Sequence, residues 1–411
     1  MEIVVKQIND NLDFKLIKTD KFKLVNIQFT FLMELNYDDI AAYNLLLNLL
    51  VTRNSKYDNM SSFNAYLENN YGMVVTGGYL NRGNVAILKF LSRAINSKYT
   101  MNEDLLNIQI ETIRDCLFDP CITEEALNEV KMIYIQKLKE KNNHKTYILK
   151  KKINEIMGKD NPYGVNIESN IEMINAVTID KINEVYTKLL NSDCKIYVCG
   201  DVNEDDVANK LSSFNLKNTN KELLNLSYLR EIENKEVQVF ESKFLQSAIS
   251  IMYECDIKYN DRLYYPFKVF LEILNYDLFN VIREKYNFCY YIYAMSNNYL
   301  NTVEIASEIE SKNLDKVVEL IDDIIEGYSK NFDEERFNLC KNKILTYISN
   351  STDSPRDLIE LYFGFDFTKT VASIEELEAN YVSVTKEDVI SVSKMMKRRM
   401  VSILKEDTNN G

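Results

Sequence analysis

One histidine, His144, stands in 411 residues, and that scarcity excludes more chemistry than anything present. A catalytic zinc site needs two or three imidazoles and cannot be assembled from this chain alone. A Ser-His-Asp or Cys-His device would have to use His144. It sits in the polar run EKNNHKTY, with no GxSxG or similar nucleophile setting, and reads as a solvated helix-surface residue. Neither a P-loop nor a GxGxxG stretch occurs, so phosphate and dinucleotide cofactors have no visible cradle. Only 4 prolines and 10 glycines are available, so Asn, Asp and Ser must make most turns. The 7 cysteines include no CxxC pair, and an odd, scattered set reads as reduced thiols in a cytoplasmic protein. Cys194 and Cys199 share an apolar strand on opposite faces, which does not suit a metal. The start, MEIVVKQINDNLDF, lacks a cationic region followed by an apolar one. No apolar run approaches the ~20 residues of a membrane span. A net charge of −13 disfavours nucleic acid and anionic membrane as partners.

What the sequence does have is a 46% apolar, 27% charged balance and a length that calls for two or more cores. Phe22–Met33 alternates as a long strand, and Asp38-Asp39 opens a helix over Ile40–Val51. Ser61 or Ser62 is placed to cap a second helix, and a hairpin follows around Asn81-Arg82-Gly83. Helices are expected over Leu105–Leu117, from Thr123 past Leu138, over Tyr147–Met157 and, capped by Thr178, over Ile179–Leu190. Then the pattern restarts. Ile122-Thr-Glu-Glu-x-Leu127-Asn-x-x-Lys131 recurs as Phe332-Asp-Glu-Glu-x-Phe337-Asn-x-x-Lys341, 210 positions on. Val177-Thr178 with Ile182, Val185 and Leu189 recurs as Val384-Thr385 with Val389, Val392 and Met396, 207 positions on. A period of this size means two homologous domains. The division expected is 1–214, a polar linker 215–233, and 234–411. Each half mixes antiparallel hairpins with long helices, an α+β layer in which helices cover a sheet.

The stretch Leu278–Ile292 is the chemically suggestive one. It reads as the last turns of a helix, a tight break at Tyr286-Asn287, and a strand. Arg283 stands at the helix end and Tyr290 seven residues later, just inside the strand. Brought together by the turn, the two can grip one carbonyl or oxyanion from two sides. Taken alone, a basic residue at a helix C-terminus and a tyrosine in a strand need no function.

The LF…REKxxFxY pattern within two similar α+β halves resembles the pitrilysin/insulinase family of zinc peptidases, over nearly the whole chain. The resemblance implies two α/β-roll halves, each an antiparallel sheet covered by helices, together forming half of a clamshell chamber. It implies that Arg283 and Tyr290 bind substrate backbone. That family usually has Gly where Asn287 stands; Asn is the next best residue for a left-handed turn. The family's first half carries HxxEH on a helix, and a later Glu completes its zinc site. The matching positions here are Asn44, Leu47 and Asn48. Asn44 and Asn48 share a helical face, but a neutral amide is a poor substitute for imidazole and Leu47 cannot act as a base. Aligning the apolar pattern of the helix starting at Thr123 puts Lys137 at the third ligand position and Val130 at the upstream acidic one. Counting residues instead lands near Glu125. Either way the helix is a zinc helix with its chemistry removed.

The reading is therefore a non-catalytic subunit that grips peptide backbone and completes the chamber of an HxxEH-bearing paralogue. No cofactor is expected in this chain, and zinc is expected in the partner. The alternative is a homodimeric peptide-binding or regulatory scaffold with no proteolytic partner. Peptide is the expected ligand in both. Tyr291 and Tyr293, on the other strand face, are expected to be core or wall.

Overall fold

A computed structural model describes residues 1–10, 12–101, 103–158, 167–216, 235–241, 247–330 and 332–405. In chain order the elements are β1 (Glu2–Asn9), β2 (Leu12–Lys18), β3 (Leu24–Glu34), α1 (Ile40–Leu50), α2 (Met60–Asn69), β4 (Val74–Arg82), β5 (Val85–Ile95), α3 (Leu105–Phe118), α4 (Glu124–Lys141), α5 (Lys145–Gly158), α6 (Ile171–Ala176), α7 (Ile179–Leu190), β6 (Asp193–Gly200) and α8 (Glu204–Leu211). They continue as β7 (Lys235–Glu241), β8 (Ser247–Glu254), α9 (Tyr264–Leu278), β9 (Cys289–Asn297), β10 (Thr302–Ile309), α10 (Leu314–Gly327), α11 (Glu334–Ser351), α12 (Pro355–Thr368), α13 (Ile374–Val382), α14 (Lys386–Ser393) and β11 (Lys397–Lys405). From residue 217 on, the expected linker lies outside the described residues.

The repeat is visible element by element. α4 and α11 are both 18 residues long, and α5 and α12 are both 14. Thr178 and Thr385 are both N-caps, each accepting a 3.2 Å bond from the backbone N–H three residues on. The repeated lysines explain why two separate stretches recur together. Lys131 donates through Nζ to the Asn175 and Val177 carbonyls, and Lys341 donates to those of Val382 and Val384. Each lysine thus ties the long helix to the C-terminus of the helix before the capped one, and satisfies carbonyls that a helix end leaves open. One local expectation is corrected: α2 is capped by Asn59, which accepts from the Ser62 N–H at 2.9 Å, and not by Ser61 or Ser62. Asn59 holds the extended backbone a cap requires, so the helix starts earlier.

Contacts group the chain into two units: Met1–Lys139 with Val165–Leu226 and Ser351–Phe363, and Glu140–Gly164 with Ser227–Asn350 and Gly364–Gly411. In the first unit six strands run in the order β1-β2-β6-β3-β5-β4, antiparallel except for the parallel pair β2–β6. β3 is buried along almost its whole length, as a central strand covered on both faces must be. The segment 351–363 packs on the same sheet as Tyr197 and Lys89. The Phe363 ring stands edge-on to Tyr197 at 6.2 Å and under the Lys89 ammonium at 4.6 Å, and Lys89 pairs with Glu360.

The second unit repeats the plan as β7-β11-β8-β10-β9, again with one parallel pair, β7–β11. One sheet face builds the large core from Ile249, Ile251 and Tyr253 of β8, with Phe267, Phe270 and Leu274 of α9, and Val317 and Ile321 of α10. The other face packs Ala248, Met252, Met400 and Leu404 against Leu149 and Ile153 of α5.

Candidate substrate-binding site

Arg283 and Tyr290 are brought together by three local devices. First, α9 does not end at Leu278 but widens into a seven-residue π-helical segment, Phe279–Lys285. Leu278 and Ile282 are fully buried, which anchors the widened turn and leaves Arg283 on its outer side. Second, the chain reverses at Asn287, whose φ is +53°. Its N–H closes on the Arg283 carbonyl at 2.9 Å, and the Phe288 N–H on that of Ile282 at 3.1 Å. The left-handed position expected there is thus held by asparagine. Third, Asn275 of α9 acts as a short strand. It donates to the Ala294 carbonyl at 3.0 Å and accepts from the Ala294 N–H at 2.7 Å, pinning β9 to the helix.

β9 is the edge strand of its sheet. Its pairing with β10 slips between Ser307 and Ile309, opposite Cys289 to Ile292. A bulge of this kind re-aims a side chain. Tyr290 leaves the ladder 83% exposed, while Cys289 and Ile292 on either side point into the core. The Arg283 guanidinium lies over two rings, 4.7 Å from the Phe279 centroid and 5.5 Å from that of Tyr290. Its side chain is 37% exposed, and Glu284 approaches its Nε at 3.6 Å. The two residues therefore meet cation to ring face, with Phe279 as a second wall. Phe279, one helical turn before Arg283, stood in the sequence pattern only as an apolar residue, and its i, i+4 spacing to the arginine is what places its ring against the cation.

Tyr291 and Tyr293 stack on each other at 6.0 Å, half-buried. The Tyr291 hydroxyl donates to Glu308 at 3.0 Å, and Glu308 pairs with Lys145 of α5 at 2.6 Å. Burial pushes the Tyr291 phenol above its usual range. Both belong to the sheet face that α5 covers.

The helix that would carry zinc is α1. The Asn44 amide donates to the Ile40 carbonyl at 3.0 Å and to that of Ile167 at 2.9 Å. The Asn48 amide donates to the Asn44 carbonyl at 2.8 Å. Leu47 is 3% exposed and packs on β4, where a Cβ at Gly77 would stand 3.3 Å from its own. Lys137 is exposed on α4 and Val130 is buried there, and Glu129, next to Val130, neutralises the buried Arg53 at 2.7 Å. Glu125 is exposed. Two amides committed to backbone, an apolar leucine and a lysine do not fit a zinc ion. Among the described residues, no group of three or more His, Cys, Asp or Glu is placed to hold a metal. His144 is exposed in the turn between α4 and α5.

Residues 176–344 match the family model described as the peptidase M16 inactive domain. A Bacillus subtilis (strain 168) protein described as a probable inactive metalloprotease, YmfF, is 23% identical over 98% of this chain and 97% of its own length. A conserved protein from Enterococcus faecalis V583 superposes with a TM-score of 0.90, at 20% identity and full coverage of both chains. A structure described as a peptidase M16 inactive domain from Pseudomonas fluorescens superposes at 0.81, with 12% identity and 99% coverage of each. Those superpositions show the shared two-half fold. Residues 176–344 are thus similar to a peptidase M16 inactive domain and nearly the whole chain to a probable inactive metalloprotease, while Asn44, Leu47 and Asn48 of α1 offer no zinc ligands.

Proposed function

We propose that this chain is the non-catalytic, substrate-binding subunit of an insulinase-type zinc peptidase, working with an HxxEH-bearing paralogue in the cytoplasm. The observation that carries the reading is an asymmetry between two sites. The helix positions that would hold metal and base are Asn44, Leu47 and Asn48, each turned to packing or backbone hydrogen bonds. Arg283 and Tyr290, by contrast, meet at the exposed head of an edge strand, where three separate structural devices hold them. A peptide backbone at such a place is offered a cation and a phenol, and beside them a strand edge that is unpaired among the described residues. This chain's residues bind and orient; the partner supplies the metal chemistry. The cytoplasmic assignment rests on seven unpaired thiols.

The test is co-expression with an HxxEH paralogue from the same genome, followed by a quenched-peptide assay and metal analysis of each subunit. The expected result is a complex near twice 48.1 kDa in which zinc follows the partner and turnover needs both chains. Zinc at 1:1 in this chain alone, tracking with activity after dialysis, contradicts the proposal.

A further inference from the structure

We propose, resting on the reading that Arg283 and Tyr290 grip peptide backbone, that the Arg283 guanidinium is a receptor for a free peptide carboxylate. This chain then holds the acid-ended fragment left by hydrolysis more tightly than the intact peptide. A guanidinium carries five N–H donors in a planar fork. At Arg283 none of them is used in a hydrogen bond among the described residues. The contacts it makes are with ring faces, Phe279 at 4.7 Å and Tyr290 at 5.5 Å, which restrain the fork without using an N–H. Glu284 stands 3.6 Å from Nε, outside hydrogen-bond reach.

Four other arginines show what such a fork takes in this chain. Arg53 meets Glu129 at 2.7 Å, Arg262 meets Asp388 at 2.5 Å, Arg336 meets Asp277 at 2.6 Å and Arg399 meets Glu254 at 2.5 Å. Each has a carboxylate within hydrogen-bond distance. Arg283 is as well placed by its two rings, yet its side chain stays 37% exposed beside the exposed Tyr290. Residues 247–330, which carry the whole arrangement, are all described. The site is a restrained cation whose donors face solvent.

Peptide hydrolysis generates the anion that fits. Before the cut, the backbone offers Arg283 a neutral carbonyl oxygen. Hydrolysis breaks the C–N bond and joins the oxygen of water to the carbonyl carbon. Both protons of that water go to the nitrogen, so one fragment ends in a carboxylate and the other begins with an ammonium. The two carboxylate oxygens match the fork with parallel N–H···O bonds, each strengthened by charge. A neutral carbonyl gains neither the second oxygen nor the charge. The grip therefore tightens once the bond is cut, and release of the acid-ended fragment is the step this chain slows.

Fluorescence polarisation of the full chain with a labelled, alanine-rich hexapeptide tests this, the peptide ending either in a free acid or in an amide. The acid should bind about tenfold tighter at low ionic strength, the usual margin of a hydrogen bond to a charged group over one to a neutral group. Added salt should narrow the gap, because the site is exposed. Arg283→Ala should bring acid and amide to equal affinity. Arg283→Lys should keep only part of the preference, since a point charge does not reproduce the fork. Circular dichroism and thermal unfolding of both variants should match the native chain. Equal affinity for acid and amide in the native chain overturns the inference, and if that shared affinity falls with Arg283→Ala the backbone grip still stands. An acid preference that survives Arg283→Ala seats the carboxylate elsewhere and overturns it too. If neither peptide binds, the backbone grip fails and the carboxylate receptor with it.

Discussion

Asn287 shows how much one residue can be read and tested. The sequence placed a tight break at Tyr286-Asn287, and asparagine is the non-glycine residue that best tolerates the left-handed backbone found there, with φ of +53°. Asn287→Gly should leave stability within a few tenths of a kcal/mol, whereas Asn287→Val should cost about 1–2 kcal/mol in thermal or urea unfolding, because a β-branched side chain clashes in that region. Lys268 of α9, in contrast, was not legible: a lysine on a helix normally reads as surface. Its ammonium donates to Ser296 at 2.9 Å and to Asn298 at 3.0 Å and lies over the Tyr264 and Phe267 rings, with no carboxylate paired to it among the described residues. Burial holds its pKa down at about 8, below the ordinary 10.5. Between those values the unfolded chain binds the extra proton, so this group's contribution to stability improves as pH rises through the folded value. Lys268→Met should therefore gain on the native chain at neutral pH and lose that relative gain by about pH 10, read as the difference between two unfolding curves at each pH.

At the scale of elements, periodicity found most helices and the repeated caps, because burial of one face leaves its mark every three to four residues. The π-helical widening at Phe279–Lys285 and the slip opposite Tyr290 left no such mark. Both change register by one residue, which composition does not record, and both decide where Arg283 and Tyr290 point. The parallel pairs β2–β6 and β7–β11 were equally silent, since each joins strands at opposite ends of a half and is fixed by tertiary contact. That Asn44, Leu47 and Asn48 lack zinc chemistry was legible, but what those side chains do needed the structure. Leu47 is a packing residue against Gly77 of β4. Leu47→Ala should destabilise by about 2–5 kcal/mol through the cavity it leaves. Gly77→Ala should cost about 1–3 kcal/mol, since its Cβ would meet Val51 Cγ1 at 3.2 Å and Leu47 Cβ at 3.3 Å with little room to yield. Calorimetry of the two variants checks both figures, and the double variant should cost less than their sum because the changes share one space.

For the whole molecule, the scattered cysteines set the behaviour in alkali. Burial pushes the thiols of Cys116, Cys199 and Cys255 up to about 12 and that of Cys340 to about 11, from 9.0, and raises Cys194 further. Stability from a thiol kept neutral is fully present below the unfolded value and is lost as pH rises toward the folded one. The midpoint of unfolding should fall steadily above about pH 9, against the smaller opposite contribution of Lys268. The function proposed at this scale is a division of labour: one chain to grip peptide and a partner to hold the metal. Turnover by the reconstituted pair with Arg283→Ala in this chain tests that most directly, beside Tyr290→Phe and Arg283→Lys. The account predicts assembly at the native mass, zinc undisturbed in the partner, and a rate about 10²–10³ lower for Arg283→Ala, the usual loss when one preorganised donor to a developing charge is removed. Tyr290→Phe should lower the rate while sparing the fold, and Arg283→Lys should rescue poorly, since a point charge does not reproduce the planar fork. Pairs that assemble with both Arg283→Ala and Tyr290→Phe and still cleave peptide at the native rate would contradict the account and make the cation over its two rings a structural feature only.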